Sequence, residues 1–435
     1  MAAEAIGPMS AVGFRPHPLR ANVLGEVHAR PFQLVVAPRV FLHLAFLTEG
    51  AGAVADREAF AAFGRSLGLP GPDAETRHLR IPVLGGRLGW EQHTEFTTYT
   101  FDAPPAASGG LPPHPFAAGL VQPGPLIVAV RLDLVPLPDP LEAGLADLDP
   151  VSLCVAGVAD GGAIAATDFR QDADGFTRIR VFDVDLTPPR AGALVQRLLE
   201  IETYRTLALL GLPEAQRLAP AVRRIEEALT GASAAMCESR GLDDDRRRLD
   251  ELTSLAATLE ADVAASAYRF GASRAYYEIV GDRLASIREA RIAAYGSFSG
   301  FLQRRLGPAM RTCQAIESRQ TALATKLGRA ANLLRTRVDV EIERQNRDLL
   351  TSMNLRARLQ LRLQQTVEGL SVAAITYYVV GLVGYLAKGA KEAGLPMVDP
   401  AVATAVAVVP VALVLWLIVR RIRRHHERED RAGGG

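Results

Sequence analysis

The chain has 435 residues, more than one ordinary core fills, so two or three units are expected. Its 49 basic and 48 acidic residues leave a formal charge of +1, and aromatic residues make up only 6%. Neither favours a nucleic-acid surface, and no nucleic-acid partner is expected.

The opening residues, MAAEAIGPMSAVGFRPHPLR, carry no apolar run of signal-peptide length, so a cleaved secretory signal is not expected. Residues 14–186 read as a mixed or antiparallel α/β domain. In GEVHARPF (25–32), an extended backbone puts Glu26, His28 and Arg30 on one face and Val27 and Ala29 on the other. RVFLHLAFL (39–47) is a β-rich apolar run, and VADREAFAAFGRSLG (54–68) has helical spacing. Gly85-Gly86 marks a hairpin between RHLRIPVL and RLGWEQHTEFTTYTF. PLIVAVRLDLV and VSLCVAGVA read as strands, and a last hairpin turns at Asp174-Gly175.

In WEQHTEFTTYTF (90–101), strand alternation places Glu91, His93, Glu95, Thr97 and Tyr99 on one face. Two carboxylates flanking a histidine can hold a divalent cation or act as a general acid–base set. The ordinary alternative is a solvated strand face with cross-strand ion pairs. If the two polar segments meet, His28 and His93 with Glu91 or Glu95 form the site. No other cofactor is evident.

At Thr187 the pattern changes to a period of 3.6. Thr187 followed by Pro188 and Pro189 is a helix start, with a capping hydroxyl and proline in the first turn. Residues 187–368 read as a helical bundle and stalk, with helices over 187–211, 213–230, 242–294 and 297–370. Gly231 and Gly241 are expected as breaks, and Gly307-Pro308 as a kink or restart. In the last helix the apolar positions drift by eleven, as in Leu327, Val338 and Leu349, or Ala331, Ile342 and Met353. That period gives a nearly straight helix whose stripe needs other helices or sister subunits to cover it.

Residues 369–419 read as a transmembrane hairpin. Two uncharged stretches, Gly369 to Ala387 and Pro400 to Val419, each extend about 30 Å as helix, which matches the hydrocarbon thickness. Arg356, Arg358 and Arg362 precede the first span, and the basic tail, residues 420–435, begins with Arg420 and Arg421. The positive-inside rule then places both termini in the cytoplasm, with the lipid bilayer as partner. Ser371, Thr376, Tyr377, Tyr378, Gly381 and Gly384 suit either a pore lining or tight helix packing.

Other chemistry is absent from the pattern. There is no GxxxxGK[ST] loop, no GxGxxG after a strand and no HExxH, so no enzyme class is assigned. Cys154, Cys237 and Cys313 form no CxxC pair, which argues against a thiolate zinc site and fits a reducing compartment.

GEVHARPF, WEQHTEFTTYTF, RRLGPAMRTCQAIESRQ, LLRTRVDVEIERQN and LQLRLQQTVEGLSVAAITYYVVGLVGYLAKG together resemble an uncharacterised bacterial family of membrane-anchored proteins. The resemblance covers nearly the whole chain. It implies attachment to the inner membrane and names no activity. Gly25 stands where that family's first motif is expected to carry Asn. The plan of cytoplasmic domain, long helix and two C-terminal spans also resembles CorA-type magnesium transporters, which implies a homo-oligomer with the first span lining a pore. The Gly-Met-Asn signature expected near Tyr385 to Gly389 reads YLAKG instead, so magnesium selectivity does not carry over. The fold class expected is therefore α+β, with a cytoplasmic domain, a helical stalk and a membrane hairpin. Three functions stay open: a CorA-like ion channel or transporter, a tethered enzyme or sensor using the His/Glu/Arg cluster, and a structural membrane scaffold.

Overall fold

The computed structural model describes residues 33–107, 110–117, 123–238, 241–393 and 399–432, with residues 17, 19, 20, 24, 120 and 121. Two compact units divide the chain: residues 1–238 with 248–331, and residues 239–247 with 332–435.

The first unit is built on a nine-stranded sheet. Its strands are β1 (Arg39–Leu47), β2 (His78–Val83), β3 (Gly86–Gln92), β4 (Phe96–Ala103), β5 (Leu126–Pro136), β6 (Cys154–Val158), β7 (Ala163–Gln171), β8 (Thr177–Asp183) and β9 (Ala290–Arg291). Their order across the sheet is β2-β3-β4-β1-β5-β8-β7-β6-β9. Neighbours are antiparallel except β5 and β8, which run parallel. The expected mixed sheet is thus present. The turn between β2 and β3 has left-handed φ at Leu84 (50°) and Gly85 (72°), the twist a two-residue hairpin needs.

One expected strand divides. Residues 93–95 turn the chain between β3 and β4, with the His93 N–H donating to the Phe96 carbonyl at 2.8 Å. Glu91, His93 and Glu95 therefore do not share one strand face.

The helices are α1 (Ala51–Ser66), α2 (Pro188–Leu209), α3 (Gly211–Glu238), α4 (Leu242–Ser286), α5 (Phe298–Glu392) and α6 (Pro400–Ala432). Thr187 caps α2 through its carbonyl, which accepts from the Ala191 N–H at 2.9 Å; its hydroxyl makes no cap bond. Gly231 and Pro308 lie inside helices that run through them. The helix expected to reach residue 294 stops at Ser286. Glu289 turns back there, and its carboxylate accepts from the backbone N–H groups of Phe298 (2.5 Å) and Ser299 (3.0 Å), capping α5. The freed residues Ala290–Arg291 add the edge strand.

Both faces of the sheet are covered in part. On one face, α2 packs Ala191, Leu194, Val195, Leu198 and Leu199 into a core with Phe41, Val130, Leu132, Ile179 and Val181. On the other, α1 packs Phe60 against Leu42, Leu44, Leu88, Trp90, Tyr99 and Phe101. Each such fully buried side chain contributes about 1.5–3 kcal/mol of transfer free energy.

In the second unit, α5 and α6 are both long and apolar enough to span a membrane, by length and composition. No part of the apolar window of α6 is buried within the chain. Gly384 lies against Thr404, whose hydroxyl oxygen would be 2.8 Å from a Cβ there. Lys391 and Asp399 pair at 3.5 Å between the two helices.

Candidate functional site

β1, β4, β3 and β2 alternate strictly, and the alternation separates two chemistries. The side chains facing α1 are the apolar set just described. The opposite face carries Phe41 and His43 from β1, Thr98 and Thr100 from β4, Gly89 and Glu91 from β3, and His78 and Arg80 from β2. Register aligns them: His43 opposes Thr100, Thr100 opposes Gly89, Gly89 opposes Arg80, and Glu91 opposes both Thr98 and His78. A polar floor thus lies beside the apolar strip that α2 covers.

The floor is walled into a cavity of about 380 Å³. One wall is a stripe of α2 at helical spacing: Gly192, Val195, Gln196, Leu199, Glu200 and Thr203. Another is the extended chain at Gln33 and Val35, held by the Val35 N–H donating to the Pro188 carbonyl at 3.1 Å. Gly192 is required for this close approach, because a Cβ there would sit 1.7 Å from the Gln33 carbonyl oxygen. The volume falls within the ~300–1,000 Å³ range of small-molecule sites.

His43 is the buried centre of the floor. Its Nδ1 lies 2.8 Å from Thr100 Oγ1 and its Nε2 2.9 Å from Thr203 Oγ1. The Thr203 hydroxyl donates to the Leu199 carbonyl at 2.8 Å, so its oxygen accepts from His43 Nε2–H. Nδ1 is then left to accept from the Thr100 hydroxyl. This assigns the tautomer from the hydrogen-bond network. Burial lowers the His43 pKa to about 4, so the ring is neutral near pH 7.

The charged groups stand on the walls and rim. His93 stacks on Phe96, ring centroids 4.1 Å apart, and its Nε2 is 3.7 Å from Glu91. Glu200 is engaged by Arg283 of α4 and accepts from Gln196 at 2.9 Å. Among the described residues, Arg80 has no ion-pair or hydrogen-bond partner. Gln33 Oε1 is buried and likewise without a partner among the described residues.

A family model described as "Protein of unknown function (DUF3422)" matches residues 15–426. The chain belongs to the DUF3422 family. No curated protein and no solved structure matches it, and no link to CorA-type transporters appears.

In this DUF3422 protein the sites expected from sequence separate. Glu26, His28 and Arg30 lie outside the described residues; Gln33, the first described residue after them, lines the cavity. Glu91 and His93 also line it. Glu95, two residues on, points elsewhere. Its carboxylate is fully buried and bidentate with Arg269 of α4, at 2.6 and 3.2 Å. Among the described residues, no group of three or more His, Cys, Asp or Glu is placed to hold a metal ion.

The pore-lining candidates lie in the second unit. The Ser371 and Thr376 hydroxyls donate to carbonyls of their own helix, those of Val367 (2.8 Å) and Val372 (2.7 Å). Tyr377 and Tyr378 are exposed, Gly381 faces open space, and Gly384 packs on Thr404.

Sequence reasoning missed Gln33, His43, Arg80, Thr100, Glu200 and Thr203. Only His43 carried a local signal, as a polar residue in the middle of the apolar run VFLHLAFL. Cys154 and Cys313 stay inert by environment: both are buried, and burial raises both thiol pKa values, that of Cys154 to about 11.

Proposed function

We propose that this protein is a membrane-anchored binding protein or sensor whose sheet domain takes a small molecule in the cavity between α2 and the β2-β3-β4-β1 floor. One observation carries the reading. A sheet face beside a helix normally completes an apolar core, and here it carries buried His43 and Thr98, with Thr100 and Glu91 half-buried and Arg80 at the exposed rim, around an open cavity. Stability alone does not favour burying such groups, since each loses hydration that only a well-placed partner restores. The cavity is also built, not incidental: Gly192 exists to admit one wall and the α2 stripe supplies another.

Anchoring rests on the two apolar helices. The apolar window of α6 has no cover within the chain, so lipid or another protein must supply it. The flanking arginines favour an inner-membrane orientation with both termini in the cytoplasm. An oligomer is part of this reading. Leu349, Met353, Leu363 and Val367 of α5 are exposed, and a second copy anchored at the same depth can cover them. An ion pathway of the CorA plan has less support, because Gly384 packs between helices and the Ser371 and Thr376 hydroxyls are satisfied by their own backbone.

The test uses the full chain in detergent, screened by thermal shift against neutral, anionic and cationic small molecules. The expected result is a saturable rise in Tm that Gly89→Phe abolishes. A Cβ at Gly89 makes only ordinary contacts, the nearest at 3.5 Å, so the ring fills the cavity from its floor. At a ligand concentration a hundredfold above Kd the stabilisation is about 2.7 kcal/mol. No response from any class sinks the reading. Anchoring fails separately if the protein stays soluble without detergent, or if a C-terminal tag is reachable from outside intact cells.

A further inference from the structure

We infer that the ligand of this cavity is a small organic monocarboxylate with an apolar body and one hydrogen-bond donor, such as an apolar amino acid or hydroxy acid. The inference rests on the reading that the cavity binds a small molecule, and narrows it to one chemical class.

The charge inventory of the walls selects the class. Glu200 is already engaged by Arg283 and Gln196. His43 is neutral and closed into its threonine network. Arg80 remains, a fixed positive charge on β2 with no carboxylate within 4 Å among the described residues. Desolvation holds its pKa below the ordinary arginine value, offset in part at longer range by the Glu91 and Asp102 charges, and its exposed guanidinium is open to a ligand at the cavity rim. A planar guanidinium fork matches a carboxylate with two parallel hydrogen bonds. A cationic ligand meets Arg80 as a like charge. A neutral apolar one leaves the guanidinium unpaired.

A dianion fits less well than a monoanion. Glu91 stands on the same floor and opposes each added negative charge, whereas the Glu200 charge is matched by Arg283. A phosphate ester therefore gains one fork and faces the Glu91 carboxylate.

The second polar anchor is Gln33. Its side-chain oxygen is buried without a partner among the described residues, so they leave the site short of a donor at that point. An amino or hydroxyl group on the ligand supplies it. Between the two anchors the lining is apolar, with Val35, Phe41, Val195 and Leu199. That fixes an apolar body for the ligand and disfavours small inorganic anions.

The experiment is isothermal titration of the full-length protein in detergent. The probes are leucine and its shorter and longer straight-chain analogues, the matching 2-hydroxy acids, leucine methyl ester, isoamylamine and isoamyl phosphate. At least one acid is expected to bind about tenfold or more tightly than the ester, the amine and the phosphate. Arg80→Gln is expected to weaken that acid by about tenfold or more, and Arg80→Lys, which keeps the charge and loses the fork, by less. Gln33→Leu is expected to cut the preference for the amino or hydroxy acid over the plain acid. The inference is overturned if the ester, amine or phosphate binds as tightly as the acid, or if a folded Arg80→Gln protein binds the acid with unchanged affinity. The wild-type comparison of acid with ester decides the matter even if the Arg80 variants do not fold. Binding confined to a neutral, cationic or phosphorylated probe removes the carboxylate assignment and leaves the cavity a binding site. If no probe of any class binds, both fall.

Discussion

The two faces of the β2-β3-β4-β1 sheet share one backbone and differ in what they are for. Toward α1, most alternate residues are large and apolar, and the Asp56, Trp90 and Tyr99 polar groups among them satisfy one another. The Asp56 carboxylate accepts from Trp90 Nε1–H at 2.9 Å and from the Tyr99 hydroxyl at 2.5 Å. Burial and the Asp56 charge push the Tyr99 pKa up, so it stays a neutral donor. Phe60 stacks on Trp90 at 5.4 Å and meets Tyr99 edge-on at 5.8 Å. Toward α2, the same strands carry a histidine, threonines, a glutamate and an arginine around an open space. One face is filled for stability, whereas the other keeps polar groups that stability does not call for.

The largest expected effect breaks the filled face. Trp90→Ala removes a side chain 1% exposed, together with its stack and its bond to Asp56. Denaturant unfolding is expected to show a loss of about 3–5 kcal/mol. A loss below about 1 kcal/mol would show that this face is not the core.

The next effect tests the polar face through pH. His43 is held neutral in the fold, with its pKa lowered from 6.5 to about 4. The unfolded chain therefore binds its proton first as pH falls. The stability His43 contributes is fully present above pH 6.5 and is lost as pH drops toward 4. The full loss is about 3 kcal/mol, at 1.36 kcal/mol per pKa unit. Its neighbours Thr100 and Thr203 carry no charge. Unfolding free energies measured from pH 7 to pH 4 are expected to fall less steeply in His43→Gln. Equal slopes in the two proteins would mean that His43 protonates freely in the native state.

The smallest effect sharpens the contrast. Thr98 is 6% exposed and lines the cavity. Thr98→Val keeps the shape and removes the hydroxyl, so a stability change under about 1 kcal/mol, of either sign, is expected. A larger loss would make Thr98 a structural residue and weaken the distinction between the faces.

How much of this was legible in the sequence follows the range of the interactions. Local patterns held: the apolar β-rich run RVFLHLAFL, the Gly85 turn, the Thr187-Pro188 helix start and the two apolar helices all appear where expected. Glu91 and His93, two residues apart, both line the cavity. Glu95 fits the same alternation and fails it, because the chain reverses at residues 93–95 and sends its carboxylate to Arg269, 174 residues away. The remaining walls come from Gln33, Arg80 and α2, which only the sheet order and the helix crossing bring together. No spacing in one sequence encodes that.

Arg269 grips Glu95 at the β3–β4 turn, next to cavity residue His93, and Arg283 grips Glu200 on the α2 wall. The two arginines are fourteen positions apart, about four turns, so they project from the same side of the helix. α4 thus acts as a tie-rod bolted to two opposite jaws of a clamp. If either end shifts while both ion pairs hold, residues 269–283 of the helix must slide or tilt with it.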